Sequence, residues 1–309
     1  MVIHQKGTEA MTQEPIGFIG LGNTGMPMAD HIAGADFDIM VHDIAGTTSN
    51  SFYAERAPQD AGGGGSVAEV AQQSSAIFLS LPTPGAVTAV ANEIAGSGAG
   101  TDRIVVNTST VDPETTVAAH DRLAAQGIRY VDAPISGGVM RAREGTLTVI
   151  YSGDDASFIR LKPAFKAISE HIFRVSDVPG HAQRMKLFNN YIAGCTMVAN
   201  SEALAYDAAS GLDMKTMLEM INVSSGQNFM FTNWFSRCLL PEEYESWSAA
   251  EIIAKDVSLF VKSAATEGRS HHVAQATHVV LGAFSAEDPK RDQMYLYEYV
   301  RDGKFSATD

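Results

Sequence analysis

From Ile16 to about Val175, short unbroken apolar runs alternate with stretches of helical spacing. The runs at 16–19, 37–42, 76–80, 104–107, 128–132 and 147–151 are too short for buried helices. They are also rich in Val, Ile and aromatic residues, so they read as buried strands. Between them, Ser66 and Glu69 form a capping box for a helix through Gln73. A second helix is expected over 86–95. Asp112-Pro113 starts a third, with the cap at Asp112 and proline at the first helical position. Repeated strand–helix units predict a mainly parallel sheet with helices on both faces.

Past Ser176 the strand signals fade. Residues 182–210 contain no proline, and Gly194 is their weak point. Leu187, Phe188, Tyr191, Ile192, Met197, Val198, Ala203 and Leu204 make this stretch too apolar for an exposed helix, so it reads as one long, central, buried helix. Lys186, Asn190 and Glu202 would then need partners, because buried polar groups must be satisfied. Lys186 and Asn190 are four apart and share a face, although a lysine near a helix start also snorkels to water. Further helices are expected over 215–222, 249–265 and 272–285. The amide- and aromatic-rich segment 224–235 fits a pocket lining, a subunit interface or a small core patch. The expected organisation is a flexible extension (1–14), an α/β domain (15–176) and an all-α domain (177–309) built around the long helix.

The chemistry begins where the first strand ends. Gly20-Leu21-Gly22-Asn23-Thr24-Gly25 is a G-x-G-x-x-G turn between a strand and a helix that opens at Met26. Gly20 permits the tight turn, and Gly22 lets a pyrophosphate approach the backbone. Gly25 allows close helix–strand packing, and the helix N-terminus offers free N–H groups to the anion. Three glycines alone are a weak signal. Asp43, at the end of the second strand and 21 residues after Gly22, stands where a carboxylate grips the adenosine ribose. In a doubly wound sheet ligands lie beyond the carboxyl ends of the strands, which adds Leu81-Pro82 and Thr108-Ser109-Thr110 to the same crevice. The glycine run 62–65 lacks the Gly-Lys-Ser/Thr ending of a phosphate loop and is set aside. Ser136-Gly137-Gly138 is either a plain turn or a nest whose N–H groups bind an anion.

A net charge of -14 over 309 residues gives no basic footprint for nucleic acid or an anionic membrane. An anionic substrate would need local positive charge or a nest. No apolar run reaches membrane-spanning length. Residues 1–14 have no hydrophobic signal core, and Met11 is an alternative start, so a cytoplasmic protein is expected. Cys195 and Cys238 lie in apolar surroundings and read as packed thiols. His271-His272 is adjacent rather than four apart, with no carboxylate cluster, so no metal site is expected.

Four motifs in order resemble those of the β-hydroxyacid dehydrogenase family, over 16–292. They are the glycine turn from Gly17 to Ala29, Asp132-Ala133-Pro134-Ile135-Ser136-Gly137-Gly138, the pattern Gly180-x-Ala182-x-x-x-Lys186-x-x-x-Asn190, and Lys255-Asp256. Ala182 replaces the family's usual second glycine. The resemblance implies an N-terminal Rossmann domain, an all-helical second domain, and hydride transfer between NAD(P) and a small β-hydroxyacid or its semialdehyde. It implies Lys186 as acid/base, Ser136, Gly137, Gly138 and Asn190 around the substrate, and Thr110 and Lys255 near the nicotinamide. It also implies a homodimer or homotetramer. Asp43 would repel a 2′-phosphate and Ile44 offers no cation for one, so NAD is expected over NADP. Substrate selection is expected near Val139-Met140-Arg141, at Tyr191 and in 229–235. Two other readings compete: an imine reductase-like enzyme, which usually lacks the lysine, and a non-catalytic NAD-binding or scaffold relative.

Overall fold

The computed structural model describes residues 14–45 and 66–305. The extension before Glu14, with its two candidate start methionines, and the glycine run 62–65 lie outside the described residues. Glu14 itself is tied down, accepting a hydrogen bond from Arg160 Nε at 2.9 Å.

The expected strands form one sheet. β1 (Ile16–Ile19), β2 (Ile39–His42), β3 (Ala76–Leu79), β4 (Ile104–Asn107) and β5 (Arg129–Asp132) are parallel, in the order β2-β1-β3-β4-β5. Beyond β5, β7 (Leu147–Ser152) runs antiparallel to it and carries the two-residue β6 (Ile135–Ser136). β8 (Ser169–Ser176) lies parallel to β7. The apolar runs follow from burial on both faces. Successive side chains alternate, so that Phe18, Phe78 and Val106 join one core cluster while Ile77, Leu79 and Val105 join another. Phe18 and Phe78, paired in register, stack at 5.9 Å. The first face is covered by α1 (Gly25–Gly34), α5 (Gly138–Glu144) and α6 (Asp155–Ile168), the second by α2 (Val67–Gln73), α3 (Pro84–Gly96) and α4 (Pro113–Ala124). The expected caps form: Ser66 Oγ accepts from Glu69 N, and Asp112 Oδ1 from Thr115 N at 2.9 Å. Two details differ from expectation. β2 is an edge strand among the described residues, so three of its four residues are only half-buried. Ser136 lies in β6, opposite Thr148 of β7, rather than in a free loop.

The C-terminal half is helical around α7 (His181–Ala209), a 29-residue helix. α8 (Met214–Ile221), a single π-helical turn (Phe231–Phe235), α9 (Ser236–Leu239), α10 (Ala250–Thr266), α11 (His272–Glu287) and α12 (Leu296–Arg301) share its core, which includes Met197, Leu204, Phe235, Val257, Leu281 and Phe284. Segment 224–235 contributes its buried side chains to this core: Met230, Phe231 and Phe235 are buried, and Asn228 and Asn200 exchange two amide hydrogen bonds of 3.1 Å. Phe229 stays exposed. The helix is not buried all round. Met185, Phe188 and Ile192 form an exposed stripe at helical spacing, and Glu202 needs no partner because it too faces out. Among the described residues no helix is long and apolar enough to cross a membrane.

The weak point of α7 has a purpose in packing. A Cβ at Gly194 would stand 2.8 Å from Val257 Cγ2 on α10 and 3.3 Å from Leu281 Cδ1 on α11. The glycine lets three helices meet closely. Gly194→Val is expected to lower unfolding free energy by about 1–3 kcal/mol through overpacking. Denaturant titration checks this; an unchanged midpoint would contradict the packing account.

Candidate active site

The order β2-β1-β3 reverses the winding at β1, so the crevice opens beyond the ends of β1 and β3. The glycine turn lies there. Gly20 has φ +96°, and a Cβ on it would meet Ser80 O at 2.2 Å. One on Gly25 would meet Gly20 O at 2.1 Å. One on Gly22 would meet nothing within 4 Å. The outer glycines are thus required by packing, and the middle one leaves open space at the start of α1. That space suits a pyrophosphate against helix amides. Asn23 is exposed here, and Thr24 and Met26 are half-buried. Leu21 differs from expectation. Its side chain belongs to the core and its N–H donates to Asp43 Oδ2 at 2.7 Å, so it braces the turn.

Asp43 also accepts from Ala45 N through Oδ1 at 2.8 Å. Each carboxylate oxygen keeps lone-pair capacity for a ribose hydroxyl. Ile44, next along, is fully exposed and uncharged. The remaining strand ends converge as expected. Leu81 N donates to Ser109 Oγ at 2.8 Å, and Thr108 N donates to Leu79 O at 2.9 Å. Pro82 is exposed and Thr110 half-buried at the rim. The turn, the carboxylate and the open strand ends fit a dinucleotide.

Lys186 lies one turn into α7, only 6% exposed. Among the described residues its ammonium has no hydrogen-bond partner or ion pair. Burial pushes its pKa down to about 8, against the pull of the Asp256 carboxylate and with help from the nearby Lys255 charge. Asp256, 2% exposed, organises this end of the site. Its Oδ1 accepts from Lys255 Nζ at 2.6 Å and its Oδ2 from Asn190 Nδ2 at 2.5 Å. Lys255 Nζ also donates to Thr110 O at 2.9 Å, joining α10 to the end of β4. Lys186, Asn190, Lys255 and Thr110 are therefore brought together. One N–H of Asn190 is already committed to Asp256, and its Oδ1 accepts from Asn189 Nδ2 at 2.9 Å.

Gly137 and Gly138 have φ +132° and +72°, a backbone only glycine takes easily, and both are accessible. Ser136 is half-buried beside them. The exposed Arg141 lays its side chain along Gly137, whose Cβ would meet Arg141 Cδ at 2.7 Å. Tyr191 stacks on Phe260 at 4.4 Å. Among the described residues no group of three or more His, Cys, Asp or Glu is placed to hold a metal ion.

Sequence reasoning passed over two residues. Gln183, fully buried in the first turn of α7, bonds to both Asp132 and the backbone of 109–111. Asp132 was read only as part of a motif. It is buried and also accepts from Gly180 N at 2.8 Å; burial raises its pKa to about 6 despite the donors from Gln183 and Gly180. The available signal was a glutamine one turn before a lysine, in a helix start too apolar to be exposed.

Comparison with known proteins agrees with this geometry. Residues 15–176 match the family model described as the NAD binding domain of 6-phosphogluconate dehydrogenase. Residues 180–300 match the one described as NAD-binding of NADP-dependent 3-hydroxyisobutyrate dehydrogenase. The 2-(hydroxymethyl)glutarate dehydrogenase of Eubacterium barkeri is 33% identical over 80% of this chain and 81% of its own. Among solved structures, the Mycobacterium tuberculosis 3-hydroxyisobutyrate dehydrogenase, solved with L-serine, superposes with a TM-score of 0.82 at 22% identity. It covers 94% of this chain and all of its own. A Streptomyces aurantiacus imine reductase shares the fold less closely, with a TM-score of 0.62 at 18% identity over 93% of this chain and 99% of its own. The chain belongs to the β-hydroxyacid dehydrogenase family, NAD(P)-dependent oxidoreductases of small hydroxyacids.

Proposed function

We propose that the chain interconverts a small β-hydroxyacid and its semialdehyde or keto form, with Lys186 as the proton-transfer group. The observation that carries this reading is the buried, unpaired Lys186 amine with its pKa depressed to about 8. When bound, NAD supplies the hydride acceptor or donor. The neutral Lys186 amine takes the hydroxyl proton during oxidation, and the ammonium returns it during reduction. Ser136, Gly137 and Gly138 receive the substrate carboxylate through backbone N–H groups, the local anion site that the acidic surface does not supply. Asn190 presents its remaining N–H to the substrate. Lys255 holds Thr110 against the nicotinamide end of the crevice. Gly20 to Met26, Asp43, Leu81 and Pro82 bound the rest of the dinucleotide, Leu21 through its support of the turn. The division between the two domains is placed between 176 and 177. The unpaired Cys195 and Cys238 fit a reducing, cytoplasmic setting.

The imine reductase and non-catalytic readings are weakened by the same amine, which either protein could dispense with. A panel of 3-hydroxyisobutyrate, L-serine, L-threonate and 2-(hydroxymethyl)glutarate, assayed by NAD reduction, identifies the substrate. Lys186→Ala is expected to lower kcat about 10²–10⁴-fold while NADH binding, followed by fluorescence, stays within about twofold. A charged amine cannot accept a proton. The oxidation rate should therefore rise with pH through about 8 and level off, and the reduction rate should fall over the same range. Full turnover by Lys186→Ala would overturn the assignment.

Cofactor choice is tested separately. Exchanging Asp43 for Asn and Ile44 for Arg removes a repelling carboxylate and adds a cation for a 2′-phosphate. The pair of changes should improve kcat/KM with NADP about tenfold or more relative to NAD. Equal use of the two cofactors by the parent protein would contradict the role given to Asp43.

We also propose a homo-oligomer, dimer or tetramer, joined through the helical half. Met185, Phe188 and Ile192 form one exposed apolar stripe on α7, and Met220 of α8 and, after it, Val223 and Phe229 are exposed as well. Exposed apolar surface of this kind marks an interface. Size-exclusion chromatography with light scattering should give twice or four times the chain mass, and Phe188→Glu should shift it toward one. A monomeric parent protein would refute this.

A further inference from the structure

Three pieces of backbone carry the proposed chemistry, and they come from distant parts of the chain. The 109–111 segment, after β4, includes Thr110. The end of β5 leads into the Ser136–Gly138 loop. The first turns of α7 carry Lys186. One side chain touches all three. Gln183 Oε1 accepts from Val111 N at 3.1 Å. Its Nε2 donates to Ser109 O at 3.0 Å and to Asp132 Oδ1 at 3.2 Å. Its backbone belongs to α7, three residues before Lys186. Asp132 closes the knot, with Oδ2 accepting from Gly180 N at 2.8 Å and Oδ1 accepting from Thr116 Oγ1 at 3.3 Å. Both side chains are buried, at 0% and 1% exposure.

The polarity of this knot admits one arrangement. Both amide hydrogens and the amide oxygen of Gln183 are used. Rotating the amide by half a turn would set N–H against the Val111 N–H and oxygen against the Asp132 carboxylate. A buried group left unpaired loses its bond to water without gaining another, so the knot holds one register of the three segments rather than an average of several. A displacement of about 1 Å at a reacting centre is worth on the order of 10²-fold in rate.

We propose that Gln183 and Asp132 are positioning residues for the reaction, setting the Lys186 amine in register with the substrate loop and the nicotinamide side of the crevice. The inference rests on Lys186 acting as proposed above. It also places a titratable group in the knot. Protonating Asp132 removes the charge that strengthens its bonds from Gly180 N and Gln183 Nε2 and adds a proton that only the Thr116 hydroxyl, by turning, can accept. The groups around Asp132 are Tyr130 on its own strand, Thr116 of α4 and, lining the adjoining cavity of about 320 Å³, His120 of α4, Arg129 of β5, Asp154 and Asp177.

The test uses NAD and the acid of the panel above that turns over fastest, with and without deuterium at its carbinol carbon. Gln183→Met keeps the side-chain length and removes every bond of the amide. It should lower kcat about 10–100-fold, leave KM for NAD within about twofold, and raise the deuterium effect on kcat as the chemical step becomes limiting. Asp132→Asn keeps the shape and should lower kcat less, about 3–10-fold. It should also remove the acid limb near pH 6 that protonation of Asp132 is expected to give the parent enzyme. Gln183→Met with parental kcat and isotope effect would overturn the proposal. So would a loss that tracks only the folded fraction, and, should Gln183→Met not fold, so would an Asp132→Asn enzyme with the parental acid limb. Lys186→Ala, run alongside, separates this failure from failure of the lysine assignment: an active Lys186→Ala sinks the mechanism itself, whereas an inactive one beside a fully active Gln183→Met sinks only the positioning role.

Discussion

The rest of the site depends on a primary amine kept out of water without a counter-ion of its own. A lysine in bulk water is protonated at neutral pH and so has no lone pair to accept the alcohol proton, and burial is what changes that. Lys186 is buried because it lies, with Ala182, Gln183 and Leu187, on the one face of the first turns of α7 that packs inward, whereas Met185 and Phe188 on the other face are exposed. The nearest carboxylate, Asp256, does not cancel the effect, because it is already shared between Lys255 and Asn190. Had Asp256 paired with Lys186 directly, the pKa would have risen instead of falling.

A depressed amine is useful only if it is aimed, and aim is a problem of joining two architectures. The parallel sheet presents its strand ends as one crevice, and the glycine turn leaves that crevice open at Gly22 while closing it at Gly20 and Gly25. The helical half contributes α7 and α10. Among the described residues, two sets of hydrogen bonds cross the junction: Lys255 to Thr110 O, and Gln183 with Gly180 to the 109–111 segment and Asp132. Both end on residues that directly follow strands of the sheet or close them. Apolar packing sets how tightly the halves meet, but it is non-directional and tolerates sliding; hydrogen bonds between buried groups set the register.

Much of this was legible in the chain. Unbroken apolar runs mark strands buried on both faces, and the G-x-G-x-x-G turn with Asp43 at the right distance marks the nucleotide crevice. The lysine was legible because a cation in an apolar helix start demands an account. Other features were hidden, for physical reasons. Edge position is a property of sheet order, so the half-buried state of β2 could not be read from its own residues. The exposed stripe of α7 reads as core in sequence, since an apolar residue looks the same in the chain whether it faces outward or the interior. Phe231 and Phe235 looked as suited to a pocket as to a core, and only packing separates the two. Gln183 carries no motif signal; its weight comes from contacts to residues more than 50 positions away in sequence.

The claim at the centre is a statement about one proton, and it is open to direct observation. Lysine ε-carbons can be isotopically labelled and their shifts followed by NMR across a pH titration, with Lys186→Arg identifying the signal. The account predicts that Lys186 in the resting protein titrates near pH 8, well below the ordinary range of lysine. A Lys186 signal that moves together with those of the surface lysines would contradict it.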